Sequence, residues 1–131
     1  MMQASCHCGD VNVELLQPID LVTSCNCSIC YRYGAIWAYF LPQNVKISSV
    51  KSETKTYSHG DKLIDFHHCV GCGCITHYTP TELGNADRMA VNLRMFKRDI
   101  LEQVNIRYFD GADSWAFYEP NPNQKALTSS V

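Results

Sequence analysis

Cys69-Val70-Gly71-Cys72-Gly73 is the stretch on which the fold turns. Two thiols separated by two residues suit a tight turn that aims both sulfurs at one cation. Gly71 and Gly73 permit the positive backbone angles that such a turn needs. A pair of this kind supplies half of a tetrahedron. The other half is expected from Cys6-His7-Cys8-Gly9, where a glycine again follows the second cysteine. A metal shared by Cys6, Cys8, Cys69 and Cys72 would tie the N-terminal strand to the middle of the chain. In small zinc peptides such a centre contributes on the order of 10–16 kcal/mol of apparent binding energy. The expectation is a closed, structural four-cysteine zinc.

The third cluster differs in kind. In Cys25-Asn26-Cys27-Ser28-Ile29-Cys30, three thiols come from one six-residue segment. Such a segment caps one face of an ion and leaves the opposite face open, which is how a reactive zinc is built. The fourth ligand could be water, substrate, or one of His59, His67, His68 and His77. A histidine ligand would close the site and make it structural. Because a lone histidine in a strand is more often a satisfied core or surface residue, an open corner is expected. Zinc takes sulfur readily and holds a coordinated thiol deprotonated at neutral pH. A second reactant beside it meets a prepared nucleophile at high effective concentration. Cys25, Cys27 and Cys30 are therefore the candidate catalytic residues as well as metal ligands. Cys74, directly after the knuckle, reads as a small buried hydrophobe; a reactive thiol or a further ligand are the alternatives.

Composition bounds these readings. The chain has 131 residues, 46% of them hydrophobic, enough for one domain with its own core. No apolar run approaches the roughly 20 residues of a membrane span, and no membrane association is expected. Met1-Met2-Gln3-Ala4-Ser5 has no basic residue followed by an apolar stretch, so it does not read as a secretory signal. A cytoplasmic location is expected. In a reducing compartment, clustered thiols bind metal or do redox work more often than they form a disulfide framework. The formal net charge of −2, with no basic run, argues against a nucleic-acid partner. Arg88, Arg94, Lys97, Arg98 and Arg107 nevertheless concentrate cationic charge in the C-terminal third, where it could attract a small anion.

The pattern along the chain is one of short strands. Val11 to Leu15 alternates apolar and polar residues. Cys27 to Tyr33 suits a helical turn ended by Gly34. Ile36 to Leu41 reads as a buried strand, with Trp37, Tyr39 and Phe40 as core rather than substrate platform. Strands are also expected at Val45 to Ser49, Thr54 to Ser58, Leu63 to His68, Ile75 to Thr79, Met89 to Leu93 and Val104 to Tyr108. Lys97 to Gln103 suits one or two helical turns, and Phe109-Asp110-Gly111-Ala112-Asp113 a turn. Trp115 and Phe117 could cover an apolar patch or a partner surface. The polar, proline-broken segment 119–131 reads as a flexible C-terminal tail, leaving 1–118 as a single zinc-binding domain.

The three clusters, in this order, resemble the glutathione-dependent formaldehyde-activating enzyme family, which includes centromere protein V. The resemblance runs from Cys6-His7-Cys8-Gly9 to Asp110-Gly111-Ala112-Asp113-Ser114-Trp115. It implies a mostly β fold, a β-tent of small antiparallel sheets stapled by zinc with little helix. It implies one structural zinc on Cys6, Cys8, Cys69 and Cys72, and a second on Cys25, Cys27 and Cys30 with a fourth position open to the sulfur of glutathione. The implied activity is that of a carbon–sulfur lyase that joins glutathione and formaldehyde as S-hydroxymethylglutathione. Glutathione carries two carboxylates that need cationic partners; Arg32, beside the site, and Arg94, on the strand from Met89, are the candidates. A small-molecule thiol or aldehyde is the expected partner, and a homo-oligomer is compatible with the chain. The competing readings are a non-catalytic zinc module that binds another protein, and a thiol redox or metal-handling protein using Cys25, Cys27, Cys30 and Cys74.

Overall fold

Alternating apolar residues make β2 (Val11–Leu15) a strand with one enclosed face: Val11, Val13 and Leu15 are buried, while Asn12 and Glu14 are half-buried. In the computed structural model, which describes residues 2–120, β2 is the centre of a three-stranded antiparallel sheet. Its neighbours are β1 (Met2–Ser5) and β5 (Val45–Ser49).

The second sheet holds the other strands: β3 (Val22–Cys25), β4 (Trp37–Phe40), β6 (Lys55–Ser58), β7 (Ile64–His68), β8 (Ile75–Pro80), β9 (Met89–Asn92), β10 (Ile106–Phe109) and β11 (Phe117–Tyr118). Their order is β11-β10-β3-β4-β9-β8-β7-β6. Among the described residues, helix is confined to α1 (Ser28–Tyr33), α2 (Arg98–Gln103) and two 3-10 turns at Pro42–Asn44 and Leu93–Met95. Two sheets with little helix fit the expected β-tent class. One detail departs from small antiparallel sheets: the larger sheet has eight strands, and β10 lies parallel to β3, with Ile106 opposite Val22 and Phe109 opposite Cys25. A parallel neighbour needs a long crossover, here most of the chain between the two strands.

The main core packs Val13, Leu15 and Val45 of the small sheet against Val22, Ala38, Phe40, Met89 and Val91 of the large one, with Ile36 and Leu93 beside them. Strand β9 is buried along its whole length, as a central strand covered on both faces should be. Its Asn92 is enclosed yet satisfied: the side-chain oxygen accepts from the Ile36 and Arg94 N–H groups at 3.2 and 3.1 Å, and the amide nitrogen donates to the Ile75 carbonyl at 2.8 Å. That one side chain fixes where β4 and β8 begin relative to β9, and so fixes Trp37 at the floor of the site described below. No described helix is long and apolar enough to cross a membrane. The tail expected over 119–131 lies, from residue 121 onward, outside the described residues.

Candidate functional site

The sulfurs of Cys6, Cys8, Cys69 and Cys72 all lie within 4.8 Å of one another, with Cys6–Cys8 at 3.7 Å and Cys8–Cys69 at 3.6 Å. Two turns make this convergence. In each, the glycine after the second cysteine takes a left-handed conformation, Gly9 at φ 83° and Gly73 at φ 78°. Gly71 serves differently from the sequence expectation. Its φ is not positive; a Cβ there would instead stand 3.4 Å from the Cys8 sulfur, so it keeps room for the facing turn. The Val11 N–H donates to the Cys6 sulfur at 3.3 Å, and buried Asp10 holds the turn by accepting from the Val50 and Lys51 N–H groups at 2.9 and 2.6 Å. Cys74, expected to be buried, is half-buried and packs beside this cluster, its carbonyl accepting from the Cys69 N–H.

Cys25, at the end of β3, and Cys27 and Cys30, at the start of α1, form the second convergent set. No histidine or carboxylate joins either set among the described residues. Each sulfur of the triplet receives an N–H at 3.4 Å: Cys25 from the Cys27 backbone, Cys27 from the Cys30 backbone, and Cys30 from the Trp37 indole. Donors aimed at sulfur favour the thiolate. Proton sharing divides the set. Hydrogen bonding from Cys30, followed by the Cys27 N–H and thiol, brings the Cys25 thiol down to about 6, while the same bond and burial push Cys30 up. In the four-sulfur set, burial raises Cys72 but N–H donation from Cys74 and Cys8 brings it down to about 5. Cys8 moves the other way: the Asp10 N–H lowers it, yet its thiol neighbours, Cys69 first, raise it to about 12. Crowded thiols that must share protons in this way are a donor set suited to a soft cation.

The loop after β10 clamps the triplet. Asn26 donates to the Asp110 carboxylate at 3.0 Å and accepts from the Ala112 N–H at 3.0 Å, while its own backbone N–H reaches the Phe109 carbonyl. Asp110 is held well below the usual carboxylate range, at about 2, by the Ser114 N–H and hydroxyl, by Asn26 and by the Asp113 N–H. Gly111 lies against the cluster: a Cβ there would sit 2.8 Å from the Cys25 sulfur and 3.1 Å from the Cys27 Cβ.

In front of the triplet opens a cavity of about 560 Å³ that Cys25, Cys27 and Cys30 help to line. Trp37, Phe66 and Tyr78 form its aromatic floor, and Phe109, Trp115 and Phe117 its opposite lip. Its charged residues are Asp61, Arg88 and Arg107, with His59 on the wall. Arg88 lies over the Tyr39 ring at 4.3 Å and Arg107 over the Phe117 ring at 4.4 Å. Arg32 and Arg94 do not line the cavity. Arg32 donates to the Ser28 carbonyl and Arg94 to the Gly34 carbonyl, both from exposed positions. Trp37 serves both as core, 1% exposed, and as a donor to the site.

The candidate histidines fall apart similarly. His67 and His77 stack at 4.1 Å and are engaged by Thr54, Thr79 and Thr76; burial lowers both, His77 to about 3. Both are satisfied by hydroxyl partners, His77 buried and His67 half-buried beside it. His59 alone of the four lines the cavity, its Nε2 3.4 Å from the Ser28 hydroxyl. Sequence reasoning missed Asp61, Gly111 and the cavity role of Arg88 and Arg107, for which the only signal was the cationic bias of the C-terminal third.

Comparison with known proteins agrees with this arrangement. A crystal structure of a Rhodobacter sphaeroides protein superposes with a TM-score of 0.65 at 27% identity, covering 80% of this chain and 99% of that one. The curated proteins gave no match. The family described as glutathione-dependent formaldehyde-activating enzyme matches residues 1–108, which include all three cysteine clusters and the cavity floor. By that match over most of its length, the chain belongs to the glutathione-dependent formaldehyde-activating enzyme family.

Proposed function

We propose that the protein is a zinc-dependent enzyme of the carbon–sulfur lyase type that makes and breaks adducts of glutathione, or a related thiol, with an aldehyde. The observation that carries this reading is an asymmetry: four cysteine sulfurs converge in one set, three in the other, and the three line a cavity. Zinc fits both sets by donor type, and the four-sulfur set by distance as well. A tetrahedral zinc with Zn–S near 2.3 Å has sulfurs about 3.8 Å apart, and in the four-sulfur set Cys6–Cys8 and Cys8–Cys69 are 3.7 and 3.6 Å apart. Cys6, Cys8, Cys69 and Cys72 would hold a structural ion, and Cys25, Cys27 and Cys30 a second one.

When bound at the triplet, zinc supplies the affinity for sulfur that keeps a thiol deprotonated at neutral pH. The protein's own residues do the rest. The N–H groups of Cys27, Cys30 and Trp37 fix the three cysteine sulfurs. We assign the carboxylates of glutathione to Arg88 and Arg107, which line the cavity, in place of Arg32 and Arg94, which do not, and its ammonium to Asp61. His59 Nε2 is the imidazole nitrogen on the wall that can carry the proton between thiol and aldehyde oxygen. Holding the two reactants together supplies effective concentration, the main source of acceleration for an addition that already proceeds in water.

The direct test is magnetization-transfer NMR of glutathione, formaldehyde and their adduct at equilibrium. Exchange is expected to quicken in proportion to added zinc-loaded protein; equal rates with and without protein would exclude formaldehyde adducts as substrates. A structural prediction accompanies it. Gly111→Ala forces a methyl against the Cys25 sulfur and should lower metal content by one ion per chain while the circular dichroism spectrum is unchanged. Retention of both ions in that variant would place the second ion elsewhere.

A further inference from the structure

A one-carbon aldehyde does not account for the walls of this cavity. Among the described residues the charged groups of the lining are Asp61, Arg88 and Arg107, and the thiol's own carboxylates and ammonium engage them in the reading above. What is left of the lining is mainly apolar, with aromatic rings beside Ile29, Leu63, Ile64 and Pro80. On the floor, Trp37 and Tyr78 meet edge-to-face at 4.9 Å next to Cys30. These rings are buried and would serve any core. The lip would not: Phe109 packs edge-to-face with Trp115 and with Phe117, each at 5.0 Å, yet Trp115 is 72% exposed and Phe117 53% exposed. Large aromatic rings left open to water along one cavity edge are a recognition surface rather than a packing solution.

The backbone points the same way. Trp115 has φ 59°, a left-handed conformation that is a genuine outlier for a bulky side chain. Its N–H donates to the Asp110 carbonyl at 2.7 Å, and the Asp110 N–H donates to the Ala116 carbonyl at 2.8 Å, so the turn over-determines the strained residue. Glycine or asparagine would take that conformation at lower cost. A tryptophan kept there with its ring exposed implies a use for the ring.

We propose that the aldehyde handled at this site carries an apolar, ring-sized substituent, so that the substrate is the thiohemiacetal of glutathione, or a like thiol, with an aromatic aldehyde. The inference rests on the thiol–aldehyde reading and specifies its second reactant. The step is balanced and involves no redox change. The thiol sulfur attacks the carbonyl carbon, a C–S bond forms, the C=O π bond breaks, and the thiol proton ends on the resulting hydroxyl oxygen. The reverse reaction returns thiol and aldehyde. In the adduct, the substituent sits on the carbon attached to sulfur and so falls between the floor rings and the lip.

Two measurements on the zinc-loaded full chain test this. The first compares binding of two unreactive probes, S-benzylglutathione and S-methylglutathione, by tryptophan fluorescence. The benzyl form is expected to bind at least about tenfold more tightly, the discrimination a well-fitted apolar group commonly gives. Trp115→Ala should remove most of that preference and Trp115→Phe restore it; equal affinity of the two probes for the unaltered chain overturns the proposal. The second compares protein-dependent exchange of glutathione with benzaldehyde and with formaldehyde by magnetization transfer. Greater acceleration for benzaldehyde supports the proposal. Acceleration for formaldehyde alone overturns it while leaving the broader thiol–aldehyde reading standing. Acceleration with neither overturns both.

Discussion

Cys72→Ala is expected to abolish cooperative folding. The four-sulfur set joins the turn between β1 and β2 to the turn between β7 and β8, contacts 61 residues apart in sequence at the Cys8–Cys69 pair. The apolar cluster around it is small: Cys6, Val11 and Cys69 are its buried members, with Ile47, Cys72, Cys74 and Met95 at the margin. With so little apolar surface there, a metal held by these sulfurs would be the principal bond between the small sheet's N-terminal hairpin and the large sheet at that end. Structural zinc contributes on the order of 10–16 kcal/mol in small peptides, against about 5–15 kcal/mol for the whole stability of a typical domain. Weakening such a centre by one of its four thiols therefore removes an appreciable share of the whole margin. The thermal melt followed by circular dichroism should lose its sigmoidal transition, and a strong chelator should do the same to the unaltered chain. A cooperative melt within a few degrees of the unaltered protein would mean that the main apolar core holds the two sheets together without help from a metal.

Cys27→Ala should behave in the opposite manner, losing function and keeping the fold. Cys27 is the N-cap of α1, its sulfur accepting the Cys30 N–H. Loss of a cap costs about 1 kcal/mol, which for a domain of this size lowers the midpoint of thermal unfolding by a few degrees. The triplet belongs not to the main core but to a second apolar cluster around Trp37, Phe66 and Tyr78, where Cys30 is buried and Cys27 lies half-buried at the margin, so removing the Cys27 sulfur leaves the main core intact. Metal content should fall by one ion per chain, and acceleration of thiol–aldehyde exchange should vanish to the rate in buffer. If this variant unfolds as Cys72→Ala does, both ions are structural and the division of labour between them is wrong. If it keeps full acceleration, the triplet is not the reacting centre.

How much of this was legible in the sequence follows from how local each signal is. The cysteine sets were readable because spacing within a turn determines where sulfurs point: Cys69 and Cys72 converge through one turn, and Cys25, Cys27 and Cys30 through one strand end and one short helix. Strand β2 was readable because alternation of Val11, Val13 and Leu15 records a face. The cavity was not readable, since no local pattern encodes it. Phe109 faces the triplet only because β10 runs parallel to β3 and places it opposite Cys25, a pairing between segments over eighty residues apart. Arg88 and Arg107 reach the site through long-range contacts, whereas Arg32, next to the triplet in sequence, and Arg94 turn to backbone carbonyls. Gly111 appeared as a turn residue, and its closeness to the Cys25 sulfur emerges only once the Asn26–Asp110 clamp is formed.

The central claim is that the protein encloses one ion with four cysteines and leaves the other a free corner in front of a cavity. Zinc-edge X-ray absorption on the fully loaded protein, before and after addition of glutathione, tests it most directly. The expected result is an increase of about one half in the average number of sulfur neighbours per zinc on adding glutathione, with an equal loss of oxygen neighbours, since only one of the two ions changes its ligands. An unchanged sulfur count, with a nitrogen neighbour present throughout from a residue such as His59, would contradict it, because the triplet's ion would then be as fully enclosed as its companion.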